Sequence, residues 1–304
     1  MTGSFTSAVT LEEAVIALGS GARPVAGGTD LVVGARQGKK PLPDDIVAID
    51  RIDSLRELTE TESGGGGGIR LGSLVSHEAI VASPAVRTRF TALADASAIV
   101  GSHATRAQGT IGGNVMNASP AMDTGGALLC FGATVTLRSA GGERTVPIGE
   151  LWTGPGATSA GEGELLVAID LPAASSAEGA GSAYVRLEYR RQMEIAVVGA
   201  TAVVTVEGDR VSDARIAITA LAPTIRRVAD AEAALVDAGG GDEAVSTAAR
   251  AAAAGSAPIG DVRASAEYRT AMAEVVARRA ITGALARARG ETVTIPASDA
   301  LYGA

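Results

Sequence analysis

Cysteine occurs once and histidine twice in the 304 residues. A single thiol cannot close an internal disulfide, and an iron–sulfur cluster needs about four thiolates. Cys130, inside the apolar run ALLCFGATV, therefore reads as a small buried hydrophobe. Two histidines, His77 and His103, are too few for a zinc site. Aromatic residues make up only 3% of the chain, so Ala, Val, Leu and Ile must fill the core. At 46% hydrophobic residues there is enough apolar surface for a sizeable core, which argues against disorder. The net charge of −8 excludes nucleic acid as the main partner, because phosphate backbones need a positive surface. No apolar run reaches the roughly 18 residues of a membrane span. The N-terminus, MTGSFTSAVTLEE, lacks a basic segment followed by an apolar one, so the cytoplasm is the expected location.

Hydrophobic periodicity divides what is present into an α+β chain. Thr10 and Glu13 form a capping box for a helix whose face is Leu11, Ala14, Val15 and Leu18, with Gly19 and Gly21 ending it. PVAGGTDLVVGARQG then reads as strand, Gly-Gly turn and helix, with Asp30 placed to cap that helix. IVAID is a second strand, and the unit resembles βαβ with parallel strands. The run SGGGGG at residues 63–68 leads into a strand rather than a helix, so it reads as a hairpin tip and not a phosphate loop. Residues 76–100 are helical with a break at Pro84, and LLVAIDLP is a buried strand closed by Pro172. AASSAEGAGS marks a boundary. Beyond it, residues 183–189, 197–206 and 210–220 alternate as three antiparallel strands. Ala-rich helices follow, the last spanning about residues 267–288. The expected division is a domain over residues 1–175, with subdomains at about 1–55 and 56–175, a second domain over 180–290, and a tail over 291–304.

Two segments share a chemical design. AGGTD comprises Ala26, Gly27, Gly28, Thr29 and Asp30; TIGGN comprises Thr110, Ile111, Gly112, Gly113 and Asn114. Adjacent glycines allow φ > 0, and with no Cβ in the way successive N–H groups can converge on an anion. Each pair is equally well a tight strand-to-helix turn when read alone. Together they suit a pyrophosphate gripped from two sides by neutral donors, since neither loop contains lysine. Asp123, an acceptor-only side chain downstream of the second loop, suits sugar or polyol hydroxyls.

AGGTDL followed by R-x-x-GTIGGN-x-x-x-x-SP-x-x-D resembles the FAD-binding medium subunits of molybdenum hydroxylases, the carbon monoxide dehydrogenase and xanthine dehydrogenase family. GELLVAIDLP, RRQMEIAVVGA and AEYRTAMAEVVARRA extend the resemblance over nearly the whole chain. It implies a two-subdomain FAD-binding domain of the vanillyl-alcohol oxidase and p-cresol methylhydroxylase type. A small α+β domain with a three-stranded antiparallel sheet should follow. It further implies that residues 26–30, flanked by Leu31, form the first pyrophosphate loop and that residues 110–114 form the second. Asp123 would meet the ribityl hydroxyls and Leu166 would lie against the cofactor. Arg186 would sit beside the isoalloxazine, where its charge would stabilise a reduced, anionic flavin. The implied role is electron transfer, with no catalytic acid, base or nucleophile on this chain. A large partner would carry the molybdopterin, a small one two 2Fe–2S clusters, and the assembly would be a dimer of heterotrimers. A free-standing flavoenzyme of the vanillyl-alcohol oxidase class is the alternative, but it would need its own acid or base. Some relatives have Tyr where this chain has Ile195, and some carry an extra cluster that a single cysteine excludes.

The remaining polar residues have plainer readings. His77 falls in the first turn of a helix after Ser76, His103 faces solvent or makes a hydrogen bond, and Trp152 packs at a strand end. Arg106 either orders the second loop or meets the cofactor. Arg269, Arg278 and Arg279 suit salt bridges or an interface.

Overall fold

The structure, a computed structural model, describes residues 3–38, 41–61, 67–173 and 179–302. The tip of the glycine run, residues 63–66, and most of the boundary segment, residues 174–178, lie outside the described residues. Strands Phe5–Ser7 and Arg23–Val25 flank Ile46–Ala48, both pairing parallel to it. Helix Leu11–Gly19 connects the first two strands. Thr10 Oγ1 accepts from the Glu13 N–H at 3.2 Å, and the Glu13 carboxylate reaches back to the Val9 N–H at 2.8 Å. The return contact of the capping box thus falls one residue upstream of the cap.

The second sheet runs, in spatial order, Leu58–Thr61, Gly68–Gly72, Leu165–Leu171, Thr134–Ser139 and Gly142–Pro147, with every pair antiparallel. Leu165–Leu171 is its central strand and explains its own sequence. Leu166, Ile169 and Leu171 join the core beneath the helices, whereas Leu165, Val167 and Ala168 join the core of the N-terminal sheet. With both faces covered over most of its length, the strand reads as a nearly continuous apolar run instead of an alternating one, interrupted by Asp170, which pairs with Arg70. Three helices rather than two cover residues 77–98: His77–Ala82, Pro84–Arg89 and Thr91–Ala98. Pro84 opens the second helix behind the Ser83 cap, and a further break comes at Phe90, whose ring packs edge-on against Phe131 at 5.1 Å.

The C-terminal sheet has four strands, not the expected three. Ala180–Leu187, Val198–Glu207 and Arg210–Thr219 are joined by Arg226–Arg227, which pairs with Ala217 and Ile218. Two exposed arginines carry no alternation, so this edge strand left no pattern to read. Helices Ala229–Ala238, Asp242–Ala254 and Ala266–Ala288 pack on the sheet through alanines. Small residues let the layers meet closely: a Cβ at Gly181 would lie 2.1 Å from the Ala284 carbonyl oxygen.

Asp95, fully buried in helix Thr91–Ala98, joins the two halves. Its carboxylate accepts two hydrogen bonds from Arg287 (2.6 and 2.9 Å), one from the Tyr184 N–H (3.1 Å) and one from the Ala297 N–H (2.9 Å). The segment expected as a tail is therefore packed: Ala297 and Ser298 are buried, and Ala297–Tyr302 forms a helix. Removing one partner from a buried ion pair strands the other and costs about 3–5 kcal/mol. Asp95→Ala should lower the denaturation midpoint accordingly, and Asp95→Leu combined with Arg287→Met should recover only part of the loss, because the Tyr184 and Ala297 N–H groups still lose their acceptor. An unchanged midpoint in Asp95→Ala would refute the linking role.

Candidate functional site

The first glycine loop follows strand Arg23–Val25 and opens helix Leu31–Arg36. Gly28 has φ +68°, and a Cβ at Gly27 would lie 1.9 Å from the Gln108 carbonyl oxygen. Both glycines are thus dictated by backbone geometry, and the loop is pressed against the segment just before the second loop. The backbone N–H groups of Gly27, Gly28, Thr29 and Asp30 donate no hydrogen bond among the described residues. Unpaired amides in sequence form an anion-binding concavity. Asp30 stands at the N-cap position but makes no cap bond. Its φ of −91° and ψ of −42° are already helical, whereas a capping side chain needs extended backbone to reach over the first turn.

The second loop is not a loop. Ile111–Asn117 is a helix whose first turn contains Gly112 and Gly113. Its leading amides are all occupied: Ile111 N–H bonds to Val75 O (2.9 Å) and Gly112 N–H to Ser73 O (3.0 Å). Gly113 N–H bonds to Thr110 Oγ1 at 3.1 Å, and Asn114 N–H to Thr110 O at 3.0 Å. The expected nest of N–H groups is therefore absent here. Gly112 is required for a different reason, since a Cβ would meet Ser73 at 2.6 Å. What this segment can offer a ligand is the Thr110 hydroxyl hydrogen and the Asn114 amide, whose Oδ1 accepts from Thr124 Oγ1 at 2.6 Å.

A cavity of about 170 Å³ lies between the two segments. Ala26, Gly27 and Thr110 line it, together with Asp50, Arg56, Leu74, Ser76, Ala107 and Gln108. The two motifs, far apart in sequence, thus converge on one space. That volume is below the roughly 300–1,000 Å³ of a full ligand pocket, so it matches one portion of a dinucleotide. Asp50 and Arg56 were missed in the sequence, because neither belongs to a recognisable motif.

Three other expected residues are placed differently. Leu166 lies in the core rather than on the cavity wall. Asp123 begins helix Asp123–Cys130 and has both carboxylate oxygens engaged: Tyr184 Oη donates at 2.7 Å and Arg186 Nη1 at 2.8 Å. Arg186 is fully buried and is also paired with Glu188. Its charge is balanced by two carboxylates, so it presents no uncompensated cation to a flavin. Asp123 and Arg186 instead bridge the two domains, while Ser298 Oγ accepts the Arg186 backbone N–H at 3.1 Å.

His77 starts helix His77–Ala82 as expected, with Ser76 Oγ capping the Ala79 N–H at 3.1 Å. Its ring is buried behind Gly109, and its Nδ1 has no hydrogen-bond partner among the described residues. His103 is exposed. Arg106 donates to the Val100 carbonyl at 3.1 Å, an ordering role. Trp152 packs at a strand end with Nε1 on the Val115 carbonyl, and Arg269 pairs with Asp261 at 2.7 Å. Ile195 is exposed on the loop joining two strands of the C-terminal sheet.

Residues 2–174 match the family described as the FAD binding domain in molybdopterin dehydrogenase, and residues 183–284 match the CO dehydrogenase flavoprotein C-terminal domain. The chain belongs to the FAD-binding medium subunits of the molybdenum hydroxylases. It is 34% identical over 270 residues to the carbon monoxide dehydrogenase medium chain of Hydrogenophaga pseudoflava, covering 89% of this chain and 91% of that one. It is 31% identical to the 6-hydroxypseudooxynicotine dehydrogenase complex subunit alpha of Paenarthrobacter nicotinovorans, covering 89% of each. A solved structure of the H. pseudoflava carbon monoxide dehydrogenase gives a TM-score of 0.88 at 33% identity, covering 94% of this chain and 98% of that chain. As an oxidoreductase subunit of this family the chain has FAD as its cofactor. The molybdenum cofactor and iron–sulfur centres belong to other subunits. The described residues contain no group of His, Cys, Asp and Glu side chains able to hold a metal ion, and no helix long and apolar enough to cross a membrane.

Burial, reinforced by the neighbouring Arg106 charge, lowers the His77 pKa from 6.5 to about 4. A histidine depressed in the folded state contributes stability that is complete above its unfolded pKa and lost as pH falls towards the folded value. Between pH 6.5 and 4 this medium subunit should therefore lose about 3 kcal/mol through His77 alone. His77→Gln should flatten that part of the stability profile in denaturant titrations. A variant whose acid limb stays as steep as that of the parent would disprove the assignment.

Proposed function

We propose that this medium subunit holds FAD across the cleft between its N-terminal subdomains and relays electrons through it. The electrons would come from 2Fe–2S clusters on a small partner, after hydroxylation at the molybdopterin of a large partner, and would pass to an external acceptor. The carrying observation is the set of four unpaired amides at Gly27, Gly28, Thr29 and Asp30 beside a cavity shared with Thr110. Amides without internal acceptors suit a pyrophosphate, and they need no rearrangement to receive it.

FAD, when bound, supplies the capacity to accept electrons singly or in pairs. The protein's work is to bind and orient it. Ala26, Gly27, Gly28, Thr29, Asp30 and Leu31 form the primary diphosphate loop in this reading. Thr110, with Ile111, Gly112, Gly113 and Asn114 behind it, forms the opposing wall and contributes a hydroxyl and an amide. Asp123 and Arg186 act one layer back, fixing the C-terminal domain against the cofactor domain. Leu166 supports the floor between the two cores. The family supports a complex with large and small partners, which in this reading assembles as a dimer of heterotrimers in the cytoplasm.

The full chain, stripped of flavin, should take up FAD and regain flavin absorbance. Gly27→Val should reduce that uptake by at least tenfold, because the side chain must displace the Gln108 backbone. From native cells the chain should copurify with a molybdenum-containing large subunit and a cysteine-rich small one. A chain that binds no FAD under any of these conditions would sink the proposal.

A further inference from the structure

The cavity contains a cation that neither glycine motif supplies. Arg56 ends the 3-10 turn Asp53–Arg56, which joins the parallel sheet to the antiparallel one. Two buried side chains, Ile52 and Leu55, hold that turn in the N-terminal core. The Leu55 carbonyl accepts the Leu74 N–H at 2.8 Å, and a Cβ at Gly72 would overlap that carbonyl at 2.2 Å. The turn is therefore locked between the two subdomains, and Arg56 is presented to the cavity from a fixed base. Its Nη2 donates to the Asp50 carbonyl, which orients the guanidinium plane. A guanidinium has five N–H donors, so four remain. Among the described residues no carboxylate lies within salt-bridge distance of it, in contrast to the doubly paired Arg186. Asp50, the one acidic side chain on the cavity wall, is suited to a sugar hydroxyl and not to a phosphate.

We infer that Arg56 is the ionic anchor for the cofactor's diphosphate, working beside the amides of residues 27–30. The inference rests on the reading that FAD occupies this cavity. It assigns the charge recognition of the dinucleotide to a residue outside both glycine motifs, and makes the site select flavins by their phosphates. An arginine–phosphate contact combines charge with directed N–H bonds, and being partly exposed it is screened by salt.

The test is equilibrium binding of FAD and of riboflavin to the flavin-free full chain at low and high salt, comparing the parent with Arg56→Gln and Arg56→Lys. Arg56→Gln should weaken FAD about tenfold at low salt and flatten the salt dependence of FAD binding, with riboflavin affinity changing less than about twofold. Arg56→Lys should restore most of the salt dependence, because it keeps the charge. Thermal midpoints within a degree or two of the parent would establish that the variants are folded. Equal losses for FAD and riboflavin would overturn the assignment, since Arg56 would then act only by shaping the turn. So would an Arg56→Gln chain with the parent's FAD affinity and salt slope. A parent chain that binds no FAD would instead overturn the reading on which this inference rests.

Discussion

The structure depends on one carboxylate that has no access to water. Asp95 receives four hydrogen bonds from three segments that are far apart in sequence: the end of the long helix Ala266–Ala288, the strand Ala180–Leu187 and the C-terminal segment. Desolvating a charge costs several kcal/mol, so it is tolerated only where its partners are fixed in advance. Arg287 meets this condition, being itself held by the Ser182, Val293 and Thr294 carbonyls at 2.7, 3.2 and 3.1 Å. It lies in the last turn of its helix, where a positive charge also suits the helix dipole. The relative position of the two domains is in this way determined by directional polar contacts as well as by apolar packing. Asp123 and Arg186 repeat the design nearer the cleft, with an acidic residue in the first turn of a helix facing a buried arginine.

That arrangement separates two kinds of charge. Arg287 and Arg186 are saturated by carboxylates and serve architecture, so they contribute little net field at the cofactor. Arg56 and the amides of the first loop are unsaturated, and they serve the ligand. The second glycine motif belongs to the architectural side. Its amides close onto Ser73, Val75 and Thr110, which fixes the edge of the cavity in place. One motif therefore offers donors while the other holds the wall those donors face. Mixing the roles would weaken both, because an amide already bonded inside the chain cannot also bind a phosphate strongly.

Much of this was legible in the sequence, for identifiable reasons. Helices and strands with one-sided burial showed their periods, and the central strand Leu165–Leu171 showed its two-sided burial as the apolar run Leu165–Ile169. AGGTD could be read as a backbone-donor loop because Gly28 needs φ > 0 and Gly27 needs a missing Cβ. TIGGN misled because the same two glycines serve close packing within a helix, and a glycine pair does not disclose which constraint it answers. Arg56 was invisible because its position in the cavity comes from the packing of Ile52 and Leu55, ordinary core residues. Arg186 was found by resemblance, but its partners Asp123 and Glu188 come from different elements. Its neutralisation could be read only in three dimensions.

The net charge of −8 sharpens the same point. A chain that is negative overall must still bind a cofactor with an anionic diphosphate. At physiological ionic strength a charge is screened beyond about 8 Å, so the distant carboxylates do not decide the matter. What decides it is the short-range field at the cavity, whose wall holds the unpaired Gly27 amide and the Arg56 guanidinium alongside the carboxylate of Asp50. The global sign governs which macromolecules approach this surface, while the local sign governs which ligand stays. The two can therefore be opposite without conflict, because they act over different distances.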